Sequence, residues 1–205
     1  PSRLGLSGLR MTAREYFAVG ETDERYELID GVVVMSPSPT LLHQKVLRLL
    51  LRQLESAVDE LPGVEIVLDT DVKFSDENVY RPDICLFLPG RLEGISEYPE
   101  VPPDLIIEIL SPSSQPRDLI TKRDDYARFG VKEYWVIAPA DQSAKLFRVG
   151  AKTNKFGRAV IERDVAESVA VPGLSIDVKA MSSGAKRTPG VARMRGAVFF
   201  PAGED

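Results

Sequence analysis

The sequence predicts an α/β domain in which one layer of sheet is flanked by helices, and three features predict it. Two nearly continuous apolar runs, Tyr80 to Leu88 and Leu105 to Leu110, read as central strands covered on both faces. A long helical stripe precedes them and a second helical stretch follows. The resulting order of helix, three strands, helix and strand packs most simply as a sheet between helices. With 205 residues, 43% of them hydrophobic, the chain can build one domain with a substantial core.

Residues 1–10 read as a flexible leader, with Met11 a candidate natural start, and 11–181 as the folded domain. Ala13 to Val19 predicts a short helix. Tyr26 to Met35 is two apolar runs around Asp30-Gly31, a dipeptide suited to tight hairpin turns. Ser38-Pro39 supplies an N-cap and a proline at the first helical position. Leu47, Leu50, Leu54, Val58 and Leu61 then recur at spacings of three and four, and Pro62-Gly63 ends that helix. Val64 to Phe74 is an edge-strand candidate, followed by the two central runs, with a turn-rich connection from Pro89 to Pro103. The second helix is expected over Pro116 to Phe129, stopped by Gly130. Glu133 to Ala138 is the next strand. Ala144 to Val149 and Ala159 to Arg163 extend the sheet or form a hairpin, and Leu174 to Val178 is a candidate last strand. Residues 182–205 have turn composition and no period, and read as a tail.

Several function classes are excluded early. No stretch approaches the roughly 18 to 20 apolar residues of a membrane helix, so a soluble, cytoplasmic protein is expected. The lone Cys85 forms no intrachain disulfide and no cysteine zinc site. His43 is the single histidine, there is no Gly-x-Ser-x-Gly elbow, and no phosphate-binding Gly-x-x-x-x-Gly-Lys loop. A net charge of −5 argues against a protein that coats DNA through a general basic field. No helix-turn-helix or zinc-finger pattern marks a separate base-reading module.

Two carboxylates occupy positions where they are costly. In Asp104-Leu-Ile-Ile-Glu-Ile-Leu110, strand alternation puts Glu108 on the face of Ile106 and Leu110, with Leu105, Ile107 and Ile109 on the other. A buried carboxylate must be protonated, ion-paired or bound to a cation. Asp83 opens the preceding run in Arg81-Pro-Asp-Ile. If the two strands are neighbours, both acids converge at one end of the sheet, and two hard oxygen ligands suit Mg²⁺. Structural pairing is the alternative: Asp83 with Arg81, and Glu108 with Lys122 or Arg123. In helical projection Lys122 and Arg123 both fall beside the apolar arc of Leu119, Ile120, Tyr126, Ala127 and Phe129, facing the sheet. Asp118 and Lys122 could also pair along the helix.

The segments Tyr26-Glu-Leu-Ile-Asp-Gly, Arg81-Pro-Asp-Ile, Asp104-Leu-Ile-Ile-Glu-Ile-Leu-Ser-Pro-Ser, Asp118-x-x-x-Lys122-x-x-x-Tyr126 and Gly130-Val-Lys-Glu-Tyr-Trp-Val-Ile resemble the restriction endonuclease-like family called Uma-two, in the PD-(D/E)XK nuclease superfamily. The resemblance spans roughly Met11 to Val178. It implies a restriction endonuclease-like α-β-β-β-α-β core with a mixed central sheet and extra N- and C-terminal strands. It also implies Mg²⁺-dependent endonuclease cleavage of DNA, with Mn²⁺ able to substitute. Asp83 matches the aspartate of Pro-Asp, and Glu108 the acid of the Glu-x-Lys motif. The motif's lysine position holds Leu110, a departure, and the resemblance assigns the missing cation to Lys122, with Arg123 second. Glu27 is a possible third acid. His43 could touch substrate, although a helix-surface or packing role is the simpler reading. The implied metal ligands are Asp83, Glu108 and the backbone carbonyl of Ile109. A homodimer is expected, as for superfamily members that cut both strands. The competing readings are a catalytically inactive nucleic-acid-binding or regulatory module on the same fold, and an unrelated α/β protein with structural ion pairs.

Overall fold

The computed structural model describes residues 5–95, 97–110, 117–150 and 153–181, and the expected tail 182–205 lies outside them. The leader is not wholly without structure: Gly8 N–H donates to Val33 O and Val33 N–H to Leu9 O, both at 2.8 Å. Helix α1 (Ala13–Ala18) opens on a reciprocal capping box between Thr12 and Glu15. Strands β1 (Arg25–Ile29) and β2 (Val32–Ser36) form the expected hairpin. Asp30 and Gly31 take φ of 48° and 73°, the left-handed pair that the two-residue turn requires.

Helix α2 (Leu41–Val58) begins later than Ser38-Pro39 suggested, because Thr40 is its cap and accepts from His43 N–H. The expected strand Val64 to Phe74 is two strands, β3 (Glu65–Leu68) and β4 (Val72–Ser75), since the chain turns at Asp69 with φ of 48°. The run Tyr80 to Leu88 likewise divides into β5 (Asn78–Tyr80) and β6 (Ile84–Phe87), interrupted at Pro82, which cannot donate to a ladder. Strand β7 (Leu105–Ile109) follows. The second helix is a π-helical turn over Arg117–Lys122 continued by α3 (Arg123–Arg128), and Gly130, at φ of 97°, ends it as predicted. Wider π winding changes which positions face inward, so Ile120, expected on the apolar arc, is exposed. The side chains of Asp118 and Leu119 lie outside the described set. The chain closes with β8 (Glu133–Ala138), β9 (Ser143–Arg148), β10 (Val160–Glu162), β11 (Val165–Glu167) and β12 (Ser175–Asp177).

The central sheet has the order β10-β9-β8-β7-β6-β3, with β7 and β8 parallel and its other pairs antiparallel. The segment α2-β3-β6-β7-α3-β8 supplies the α-β-β-β-α-β core. Both unexpected breaks serve one purpose: β4 and β5 leave the central sheet and join β1 and β2 in a second, antiparallel sheet of order β2-β1-β5-β4. Alternation along β7 sends Leu105, Ile107 and Ile109 toward α2, whose Val46, Leu50 and Leu54 cover them together with Leu174, Ile176 and Val178. Ile106 faces the other way, into a cluster with Tyr80, Phe87, Tyr126 and Tyr134. Cys85 is buried and free, and burial pushes its thiol well above the usual range, as suits an inert core residue. Among the described residues, no helix is long and apolar enough to cross a membrane.

Glu133, buried at the start of β8, anchors the C-terminal part of the domain. Its Oε2 accepts from Ser168 Oγ and from the N–H groups of Val169 and Ala170, and its Oε1 accepts from Arg148 Nε at 2.9 Å. Burial alone would raise its pKa, but the Ala170 N–H and the Ser168 and Arg148 donors outweigh that and hold it below the usual 4.5. A depressed folded-state pKa contributes stability above the unfolded value, and that stability is lost as pH falls through the folded one. Glu133→Gln is therefore expected to cost about 1.5–3 kcal/mol at pH 7. In urea melts the gap from wild type should narrow progressively as pH falls below 4.5; a gap independent of pH would refute the ionised role.

Candidate functional site

The antiparallel register of β6 and β7 pairs Ile84 with Ile107 and Cys85 with Ile106. One further step in the same register sets Asp83 opposite Glu108. Directly opposed residues on an antiparallel pair hold their Cβ atoms about 4.5–5.5 Å apart on one face. Asp83 is fixed from two sides: its Oδ2 accepts from His43 Nε2 at 3.0 Å and from the Ile109 N–H at 2.8 Å. Burial is the largest influence on this carboxyl and pushes it upward. The hydrogen bond and charge of His43, the Ile109 N–H and the Lys122 charge together outweigh burial and hold the pKa below the usual carboxylate range.

Glu108 is 4% exposed and Lys122 5%. The Lys122 Nζ donates to Glu108 Oε1 at 2.9 Å, and the Tyr126 hydroxyl donates to the same oxygen at 3.0 Å. The ammonium also lies 5.9 Å from the centroid of the Tyr80 ring, a cation–π contact. Burial raises the Tyr126 pKa well above its ordinary value, so the phenol stays protonated and acts as a donor. Lys122 reaches this place from the end of the π-helical turn, while Leu110, one residue beyond β7, packs with the aromatic cluster.

Glu27 comes from the other sheet. Its Oε1 lies 2.9 Å from Lys122 Nζ and accepts from Arg81 N–H at 3.1 Å, while Oε2 accepts from Ser36 Oγ at 3.1 Å. Both of its oxygens thus engage protein donors, which fits a residue that holds Lys122 rather than one offered to a metal. Glu27, His43, Asp83, Glu108, Ile109 and Lys122 all line one cavity of about 70 Å³, with Arg25 and Arg81 at its wall.

Three expectations change. His43, given a helix-surface or packing role with substrate contact as the alternative, is not on the surface: it lies on the inward stripe of Val46, Leu50 and Leu54, three, seven and eleven residues on, and is bonded to Asp83. Arg123 is not brought to the cavity: its Nε donates to Asp124 Oδ1 at 2.8 Å and its guanidinium sits 6.0 Å from the Phe147 ring centroid. One residue along a helix turns a side chain by about 100°, so with Lys122 on Glu108 its neighbour points away. Asp83 does not pair with Arg81, which instead forms a two-pronged bond with Asp71 at 2.8 Å on each side. Arg25 was not singled out in the sequence, although its spacing of two from Glu27 on a strand sets both on one face.

Among the described residues no group of three or more His, Cys, Asp or Glu side chains is arranged to hold a metal ion. The pair Asp83 and Glu108 is a smaller donor set of the kind Mg²⁺ accepts, since that ion keeps several waters and takes one or two carboxylates.

Residues 13–179 match the model of the Uma2 family, whose description is "Putative restriction endonuclease". Among solved structures, one described as a putative nuclease belonging to DUF820 from Anabaena variabilis is similar at a TM-score of 0.73 and 21% identity, covering 85% of this chain and 99% of that one. At that identity the likeness speaks for the fold. No curated protein matches the chain. With the family model extending from α1 to just past β12, the chain belongs to the Uma2 family of restriction endonuclease-type proteins.

Proposed function

We propose that the protein is a metal-dependent endonuclease that hydrolyses phosphodiester bonds in DNA. The observation that carries this reading is the place of the Lys122 ammonium, 2.9 Å from Glu108 in the cavity that Asp83 also lines. Phosphoryl transfer needs fixed positive charge where negative charge develops. Leu110 cannot supply it, and Lys122 reaches the same cavity from the helix.

Asp83 and Glu108 are the residues that would hold Mg²⁺, or Mn²⁺ in its place, with the Ile109 carbonyl a further candidate. When bound, the ion supplies Lewis-acid polarisation of the phosphate and a lowered pKa for water. The chain's own residues do the rest. His43 and the Ile109 N–H hold Asp83 ionised and oriented, leaving its Oδ1 without a hydrogen bond from the described residues. Tyr126 fixes Glu108. Glu27 holds Lys122 at the depth where the scissile phosphate must sit. Cutting both strands of a duplex takes two such sites, so a homodimer is the assembly that this reading implies.

A second reading, a nucleic-acid-binding or regulatory module without cleavage, draws on one observation: Lys122 already bonds two carboxylates, as in a purely structural ion-pair network. Plasmid nicking separates the two. With Mg²⁺ or Mn²⁺, wild type is expected to convert supercoiled DNA to nicked and linear forms, and Glu108→Gln to be slower by about 10²–10³-fold. Undiminished cleavage by Glu108→Gln would remove the carboxylate from the mechanism, and inert wild-type protein that still binds DNA would favour the second reading.

A further inference from the structure

Two arginines stand at the wall of the cavity, and they differ in what their guanidinium groups are free to do. Arg81 is closed: Nε and Nη2 are both taken by the two oxygens of Asp71. Arg25 is open. Its Nη2 end is tied to Asp69, while its Nε–H is buried and has no hydrogen-bond partner among the described residues. A buried donor without a partner costs about 1–3 kcal/mol, which marks it as a place where an acceptor belongs.

The strand that carries Arg25 gives it direction. Along β1, Tyr26 and Leu28 pack into the core with α1 and Val33, so Arg25 and Glu27 share the opposite face. Two residues of strand separate their Cα atoms by about 7 Å, about two nucleotide steps at about 3.4 Å of duplex axis each. Glu27 holds Lys122, and Arg25 lines the same cavity as both, on the side where a backbone phosphate flanking the one at Lys122 would lie. The protein as a whole carries a net charge of −5, so a polyanion is drawn to local cations only. Asp69 leaves the guanidinium its charge-bearing fork on one edge and an available N–H, a shape matched to a phosphate oxygen.

We propose that Arg25 is a substrate-binding residue that takes a phosphate of the DNA backbone flanking the scissile linkage, oriented for it by Asp69. The proposal rests on reading the cavity as a nuclease site, but it concerns binding and is tested without cleavage. The experiment is fluorescence anisotropy of a short labelled duplex with wild type, Arg25→Ala and Asp69→Asn, across a salt series, with Ca²⁺ in place of Mg²⁺. Arg25→Ala is expected to bind about tenfold more weakly, with the slope of log affinity against log salt reduced by about 0.9, the loss of one phosphate contact. Mn²⁺ affinity, followed by electron paramagnetic resonance, should be unchanged in that variant. Asp69→Asn breaks the same ion pair but keeps the cation, and is expected to retain the full slope.

An unaltered slope in Arg25→Ala overturns the proposal, as does an equal loss in Asp69→Asn, which would make the pair a structural tie. Absence of any salt-dependent binding by wild type overturns it too. The nuclease reading fails separately: if Glu108→Gln cleaves like wild type while Arg25→Ala loses its phosphate contact, Arg25 keeps its role and the catalytic assignment falls.

Discussion

Lys122→Met is expected to lower cleavage by about 10²–10³-fold and to destabilise the fold by about 3–5 kcal/mol. Both effects come from one atom. The Nζ sits in a cavity where Glu27 and Glu108, each under 5% exposed, depend on it for charge compensation. Removing it leaves two carboxylates in a low-dielectric site, and breaking a buried pair from one side costs more than the pair itself contributes. The two effects come apart in the double variant. Adding Glu27→Gln removes one uncompensated charge and should restore much of the stability in urea denaturation, with no recovery of nicking. Wild-type stability in the single variant would show that the acids are neutralised by something else. Recovered nicking in the double variant would show that the lysine is structural.

Asp83→Asn is expected to reduce Mn²⁺ affinity by at least about tenfold, the scale seen when a metal site loses a supporting contact, and to bring cleavage down to the level of Glu108→Gln. Stability should change far less than for Lys122→Met. Asparagine still offers an oxygen to the Ile109 N–H, and the exchange removes a negative charge rather than stranding one. The cost is the difference between a charged and a neutral hydrogen bond from His43 and Ile109, about 1 kcal/mol. Mn²⁺ titration followed by electron paramagnetic resonance reads the affinity directly. Tight Mn²⁺ binding retained by Asp83→Asn would move the ion away from the β6–β7 end of the sheet.

The readable parts of the site were those that one strand or one helix carries. Glu108 stood out because five apolar neighbours surround it in sequence, and Asp83 because it opens an apolar run. Lys122 was legible as a cation on the inward face of a helix, but so was Arg123; helical projection did not separate them, and the family resemblance ranked Lys122 first. The π-helical turn, whose winding an α-helical projection does not describe, sends Lys122 to the cavity and Arg123 away from it. The inward direction of His43 was legible, since Val46, Leu50 and Leu54 follow it at three, seven and eleven residues, but its bond to Asp83 was not, because that partner lies 40 positions away on another element. The strand breaks at Asp69 and Pro82 had visible signals, a polar Asp-Thr-Asp run and a proline, but apolar content on either side outweighed them. The short β11 has two exposed residues in three and little pattern to read.

The sequence by itself determined the order of the core elements, the hairpin at Asp30-Gly31, the stop at Gly130 and the presence of one acid in each of two apolar runs. These follow from periodicity, turn chemistry and the cost of charge in an apolar run, all of which act over a few residues. Only the tertiary structure decided which partners those acids meet. Glu27 and Lys122 are 95 positions apart and come from a second sheet and a helix, and His43 crosses from α2 to reach Asp83. A buried charge requires a counter-charge, and local sequence states that requirement. Which distant side chain meets it is set by how the two sheets pack.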